Sequence, residues 1–251
     1  MQRGRGCSKE KPASTFEALP APCCPGSWGM NLDTARTAAE SRRTIASHRK
    51  RHALQVALAL AVLGLSAVPL QRPIGLWEES IFDAVNGLPN WLFAPVWLVM
   101  QAGNLLTVTV VSLVALITRR VRQGLDLAVA GASAWFLAKI VKELAGRARP
   151  ADIFEDVIVR GSPATGNGYV SGHAAVAAAL AAAVTPYLSR RWQVAVWIIV
   201  ALVAFGRIYV GAHLPLDVIG GMAMGWAIGS IVHVLLGEPG RREDKSAETT
   251  S

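Results

Sequence analysis

Eight residues in the second half of the chain have side chains suited to one chemistry, the binding and transfer of a phosphoryl group. They are Lys142, Arg149, Ser171, Gly172, His173, Arg207, His213 and Asp217, grouped as Lys-x6-Arg-Pro, Ser-Gly-His and Arg-x5-His-x3-Asp. Arginine presents a planar fork that matches phosphate oxygens, and lysine adds a point charge. Seven residues along an α-helix make two turns less about 20°, so a helix through Lys142 and Arg149 points both to one side. Pro150 disfavours helical geometry at Arg149, and the helix is expected to end there.

Ser171 stands where an N-cap belongs, between a polar, glycine-containing loop and the alanine-rich run that starts at Ala174. A helix start carries unpaired N–H groups and partial positive charge. Ser171, the Gly172 amide and the dipole are therefore expected to hold phosphate together, with Gly172 allowing close approach. His173 is placed to protonate a leaving oxygen as general acid. His213 and Asp217 are four residues apart, one helical turn, and Pro215 is tolerated in the first turn of that helix. The carboxylate is expected to fix the imidazole tautomer and leave the other ring nitrogen as nucleophile. Each motif also has an ordinary reading: boundary cations that snorkel, a capping serine, an aspartate at a helix start. Three of them in succession favour chemistry.

These residues need rigid elements at a membrane boundary, and the composition supplies them. Of 251 residues 52% are hydrophobic and 17% charged, with mean hydropathy +0.37, too apolar for an ordinary soluble domain. The expected fold class is all-α: a multi-pass membrane bundle of about six transmembrane helices with an interfacial helix after the first. The spans are expected at about 53–70, 99–118, 125–145, 173–188, 194–210 and 216–236, each near the length that crosses about 30 Å of hydrocarbon. Residues 73–89, with Trp77, Glu78, Glu79 and Asp83 among apolar positions, read as the interfacial helix, and 91–98 as a second interfacial stretch.

Residues 1–51 read as a disordered basic cytoplasmic tail, 52–237 as the six-helix domain and 238–251 as a disordered cytoplasmic C-terminal tail. Met30 follows an abrupt Pro/Cys/Gly-rich stretch and is a candidate start. Cys7, Cys23 and Cys24 all fall in the tail, so no disulfide framework is expected in the core. The net charge of +8 lies in clusters between apolar runs rather than along one face, which argues against nucleic acid as a partner. Clusters at 49–51, 119–122, 190–191 and 241–242 belong on one side of the membrane by the positive-inside rule. Both termini are then cytoplasmic in the plasma membrane, and all three motifs face outward. No residue pattern specifies an oligomer.

Taken in order, within fewer than eighty residues, the three motifs resemble the type 2 phosphatidic acid phosphatase superfamily over roughly 105–236. Two positions depart from its usual pattern: Val170 stands where Pro is common, and Gly206 where Ser is common. The resemblance implies an integral membrane lipid phosphatase, like bacterial undecaprenyl-diphosphatases, cleaving a phosphate monoester or diphosphate. His213 would attack through a phosphohistidine and His173 would protonate the departing group. Lys142, Arg149 and Arg207 would stabilise transition-state charge. Neither metal nor cofactor is expected, since the cations do that work. The partner is a membrane lipid phosphate, within a lipid bilayer. Soluble haloperoxidases share the site residues but lack the spans. The alternatives are a non-catalytic phospholipid binder or transporter, and a scaffold that works through the basic tail.

Overall fold

The computed structural model describes residues 32–71, 73–161 and 165–237. The expectations for Met30, the three cysteines, the tail before residue 32 and the C-terminal tail lie outside them. Every regular element among the described residues is helical. Eight α-helices follow one another: α1 Leu32–Ala67, α2 Leu76–Asn86, α3 Phe93–Met100, α4 Leu105–Ile117, α5 Val121–Ala145, α6 Gly172–Val184, α7 Arg190–Tyr209 and α8 Pro215–Leu236.

Among the described residues, four segments are long and apolar enough to cross a membrane: 49–70, 121–152, 190–209 and 215–236. A fifth arises only if the pair 90–103 and 105–117, bent by 61°, is one span. Six spans were expected, and that count is not confirmed: besides the bent pair, α6 falls short of the length. At 13 residues it is about 20 Å long, short of the hydrocarbon thickness. Its residues Ala174 to Ala183 are all buried, so protein rather than lipid surrounds it. The bend has a local cause. Asn104 accepts a hydrogen bond from the Leu106 N–H at 3.2 Å and starts α4 afresh where a continuous span from 99 was expected.

The chain divides into two compact units at Arg42/Arg43. Of the first unit, residues 32–42 are described, and they are helical. Residues 32–51, read from the sequence as part of the tail, lie within α1. The stretch 32–51 contains neither Pro nor Gly and is rich in Ala and Arg, both good helix formers.

In the second unit α6 is the central helix, packed by α8, α5 and α7, with α4 against α5 and α3 against α7. Close approach of α6 and α8 depends on small residues. Gly221, Gly225 and Gly229 recur at intervals of four along α8, and a Cβ at any of them would press on the backbone of α6. Further out, side chains such as Leu65, Leu106, Ile117 and Leu235 are exposed, as suits a surface facing hydrocarbon. Tyr169, in the loop before α6, ties α1 down through Ser66 Oγ at 2.8 Å and the Leu63 carbonyl at 3.1 Å.

Gly225→Leu is expected to unseat α6 from α8 at a cost of at least about 1–3 kcal/mol, the usual range for overpacking. Gly64→Ala, where no atom lies within 4 Å of the added carbon, should be neutral or stabilising. Thermal unfolding in detergent, followed by size exclusion, compares the two. Equal melting temperatures would contradict this account of the α6–α8 contact.

Candidate functional site

The α5 helix ends earlier than Pro150 suggested. Gly146, at φ +60°, turns the chain out of the helix, and its N–H reaches the Lys142 carbonyl at 3.1 Å. Lys142 thus lies in the last turn of α5, while Arg149 is extended backbone before a 3₁₀ turn at Pro150–Asp152. They do not share a helix face, yet both line one cavity. Arg149 is carried there by hydrogen bonds from Nε to the Gly166 carbonyl and from Nη1 to the Ala212 carbonyl, each 2.7 Å.

That cavity, of about 310 Å³, is lined by Lys142, Arg149, Gly172, His173, Arg207 and His213, with Asn104, Trp135 and Lys139 on its flank and no carboxylate in its wall. A neighbouring space of about 390 Å³ shares Asn104, Arg149, His173 and Arg207 with it. Six of the eight residues singled out in the sequence meet here. Ser171 and Asp217 do not line the cavity: both are fully buried behind it. Ser171 is the N-cap of α6 as expected, but its hydroxyl makes no hydrogen bond and so does not cap the helix.

Asp217 occupies the third position of α8, and its carboxylate is held from two sides. Oδ2 accepts from the Leu214 N–H at 2.9 Å, and Oδ1 accepts from Arg147 Nη1 at 2.8 Å. Pro215 begins α8 as expected, and His213 lies just outside it. His213 Nδ1 stands 3.4 Å from Asp217 Oδ2, an ion-pair approach longer than a good hydrogen bond; catalytic pairs often tighten only with substrate bound. Burial first, then the charges of Arg207, Lys142, Arg149 and His173, hold the His213 ring well below the usual imidazole range, so it is neutral near pH 7.

Two residues of this arrangement were not marked as site residues from the sequence. Arg147 belongs to none of the three motifs, and Glu78 reads only as part of the interfacial helix. Arg147 Nη2 donates to Glu78 Oε2 at 2.7 Å while Nη1 holds Asp217, so one guanidinium bridges two buried carboxylates. Glu78 also accepts from the Leu216 N–H at 3.0 Å, tying α2 to the start of α8. Glu78 is 2% exposed, a burial unusual for a carboxylate that its sequence neighbours do not announce. Gly206 also reads differently in space. A Cβ there would strike Met100 and Val96 of α3, so a serine would meet that helix; the missing hydroxyl is a packing requirement here rather than a lost donor.

Neither Lys142 nor Arg207 makes a hydrogen bond or ion pair to a described residue, and Arg207 Nε is buried without a partner. Cations in that state await an anion. Among the described residues no three His, Cys, Asp or Glu side chains converge to hold a metal ion. A larger cavity, about 840 Å³, lies between α1 and the far ends of α6, α7 and α8 and is lined by none of the motif residues. Size alone does not mark the site. An apolar cleft of about 620 Å³ runs from Ala102 and Thr107, beside Asn104, to Leu188 and Trp192.

The sequence model of the PAP2 superfamily matches residues 123–241. An undecaprenyl-diphosphatase of Sulfolobus acidocaldarius is 34% identical over 128 residues, which make up 50% of this chain and 59% of that protein. The match thus spans about three-fifths of the relative's length. Two crystal structures share the fold. One is the first transmembrane PAP2 type phosphatidylglycerolphosphate phosphatase from Bacillus subtilis, with TM-score 0.61, 20% identity, and coverage of 75% of this chain and 98% of that one. The other is LpxE of Aquifex aeolicus, with TM-score 0.57, 23% identity, and coverage of 61% and 92%.

Arg147→Met would leave Glu78 and Asp217 buried without a counter-charge, and is expected to cost about 3–5 kcal/mol. Glu78→Gln keeps the shape and loses the charge, and should cost less, about 1–3 kcal/mol. Melting temperatures of the two variants in detergent test the ordering. Wild-type stability in Arg147→Met would show that the bridge is not needed.

Proposed function

Residues 123–241 belong to the PAP2 superfamily, and from that premise we propose that this chain is an integral membrane phosphatase that hydrolyses a lipid phosphate monoester or diphosphate. The observation that carries the reading is the convergence of Lys142, Arg149, Arg207, His173 and His213 on one cavity without a lining carboxylate, with Asp217 held directly behind His213. The relative named as an undecaprenyl-diphosphatase supports a lipid substrate.

In this mechanism Asp217 keeps the proton on His213 Nδ1, which leaves Nε2 free to attack phosphorus. A P–N bond forms as the bond from phosphorus to the leaving oxygen breaks, and His173 gives that oxygen its proton. Water then attacks the phosphohistidine, passes a proton to His173 and releases inorganic phosphate with His213 restored. Lys142, Arg207 and the Nη2 edge of Arg149 face the developing charge, and the Gly172 amide at the start of α6 adds a donor. These cations supply the charge stabilisation a metal would otherwise provide, so turnover is metal-independent. The apolar cleft beside Asn104 offers a path for the lipid tail.

Placement supports an outward-facing site in the plasma membrane. The cavity is formed by the end of α5, the starts of α6 and α8 and the end of α7. Arg49 to Arg51, Arg119 to Arg122 and Arg190–Arg191 cluster at the opposite ends of these helices or on α1. The positive-inside rule puts that end, and both termini, in the cytoplasm.

Phosphate release by the purified full chain in detergent tests this, on phosphatidate and a polyprenyl diphosphate, with and without chelator. Wild-type turnover should survive chelator, and His213→Ala should lose at least about a thousandfold in kcat, as removal of a nucleophile does. Undiminished hydrolysis by His213→Ala would overturn the assigned nucleophile, and lipid binding without any wild-type turnover would favour a transporter or binder.

The depressed His213 pKa has its own consequence. The ring stays unprotonated as pH falls through about 6.5, so the acidic limb of kcat/KM should lie below that value. A limb at or above it would contradict the burial argument.

A further inference from the structure

On the face of α5 that looks into the phosphate cavity, Trp135, Ala138, Lys139 and Lys142 follow one another at helical spacing. Lys142 belongs to the first motif, whereas Lys139 belongs to none. It lies one turn deeper, about 4.5 Å further from the end of α5. Its Nζ rests 3.7 Å from the centroid of the Trp135 ring and makes no hydrogen bond or ion pair to a described residue. A cation–π seat of this kind fixes where the charge stands without neutralising it.

The charges around the cavity do not balance for a monoester. Lys139, itself exposed, lines it with Lys142, Arg149 and Arg207, while Glu143, next to Lys142, and Asp152, which accepts from the Arg149 N–H, are exposed and outside the lining. Behind the wall, Glu78 and Asp217 against Arg147 leave one negative charge, which offsets one of the four. Three positive charges remain, with His213 neutral. A phosphate monoester brings about −1.5 to −2 at neutral pH, and a diphosphate brings more.

We propose that Lys139, seated on Trp135, is a subsite for the second phosphate of a lipid diphosphate, the one that stays on the lipid, and that the site selects diphosphates over monoesters through it. This rests on the reading of the cavity as a lipid-phosphate site, and the test separates the two claims. The motif cations hold the terminal phosphate; Lys139 engages the next one by a charge-assisted hydrogen bond.

The measurement is binding to the purified full chain in detergent of two non-hydrolysable ligands with the same tail, farnesyl methylenebisphosphonate and farnesyl phosphonate. Hydrolysis of farnesyl diphosphate and farnesyl phosphate is measured in parallel. Wild type is expected to prefer the bisphosphonate. Lys139→Met should reduce the ratio of the two affinities by about tenfold to a hundredfold, the range for one charged hydrogen bond, and Lys139→Arg should restore most of it. An unchanged ratio in Lys139→Met, through no effect or through equal weakening of both ligands, would overturn the subsite, whatever the turnover. A Lys139-dependent ratio without hydrolysis of either lipid leaves the subsite standing and removes the phosphatase reading. Failure of wild type to bind either ligand removes both.

Discussion

The carboxylate of Asp217 is the point on which the site is assembled. It is fully buried, and an ionised carboxylate in such a place is costly unless its oxygens are satisfied. One oxygen takes the Arg147 guanidinium and the other takes the Leu214 amide, with the His213 ring beside it. Its backbone carbonyl takes the Ser171 N–H at 2.8 Å, which sets the start of α6 against the start of α8. Through Arg147 and Glu78 the same carboxylate reaches α2. Four separated segments are therefore fixed by one buried negative charge, and the His213 ring is placed by their agreement.

That fixed charge also makes sense of the cations opposite. Lys142 and Arg207 stand in a wall without acidic neighbours, a destabilising arrangement for the empty protein that an anion relieves. The buried carboxylates of Glu78 and Asp217 are paired with Arg147 and do not line the cavity, so the wall with the cations carries no acid of its own. Preorganised donors of this sort stabilise developing charge without having to reorient during reaction.

How much of this could be read in the sequence depended on range. The long apolar helices α5, α7 and α8 were legible from hydropathy, because hydrocarbon demands a fixed length of apolar chain. The motif residues were legible because their spacings sit within or beside single helix ends. The count of spans was less so: an alanine run reads as a membrane crossing whether lipid or protein surrounds it, and α6 is enclosed by protein. The end of α5 turned on Gly146, whose positive φ competes with the signal from Pro150 four residues on. Glu78 and Arg147 were out of reach altogether. Their pairing joins positions 69 residues apart, and local periodicity carries no information about a partner on another helix.

The two helix starts at the site are used in opposite ways. At α8 the protein occupies its own N-terminus: Asp217, in the first turn, answers the Leu214 N–H and the positive end of the dipole, so that end is already satisfied. At α6 the usual cap is withheld. Ser171 is in the N-cap position with extended backbone, yet its hydroxyl accepts no amide of the first turn, and Gly172 places no side chain over the helix end. The first-turn amides of α6 are thus left with their field directed toward His173 and the cavity. An added cap would cost this end its affinity for an anion while improving the helix, which is the trade expected where a helix start serves a ligand rather than the fold. The alanine and glycine packing of α6 on α8 supports that choice. It sets the capped start and the open start side by side, so that His213, beside one, and Gly172, at the other, line the same cavity.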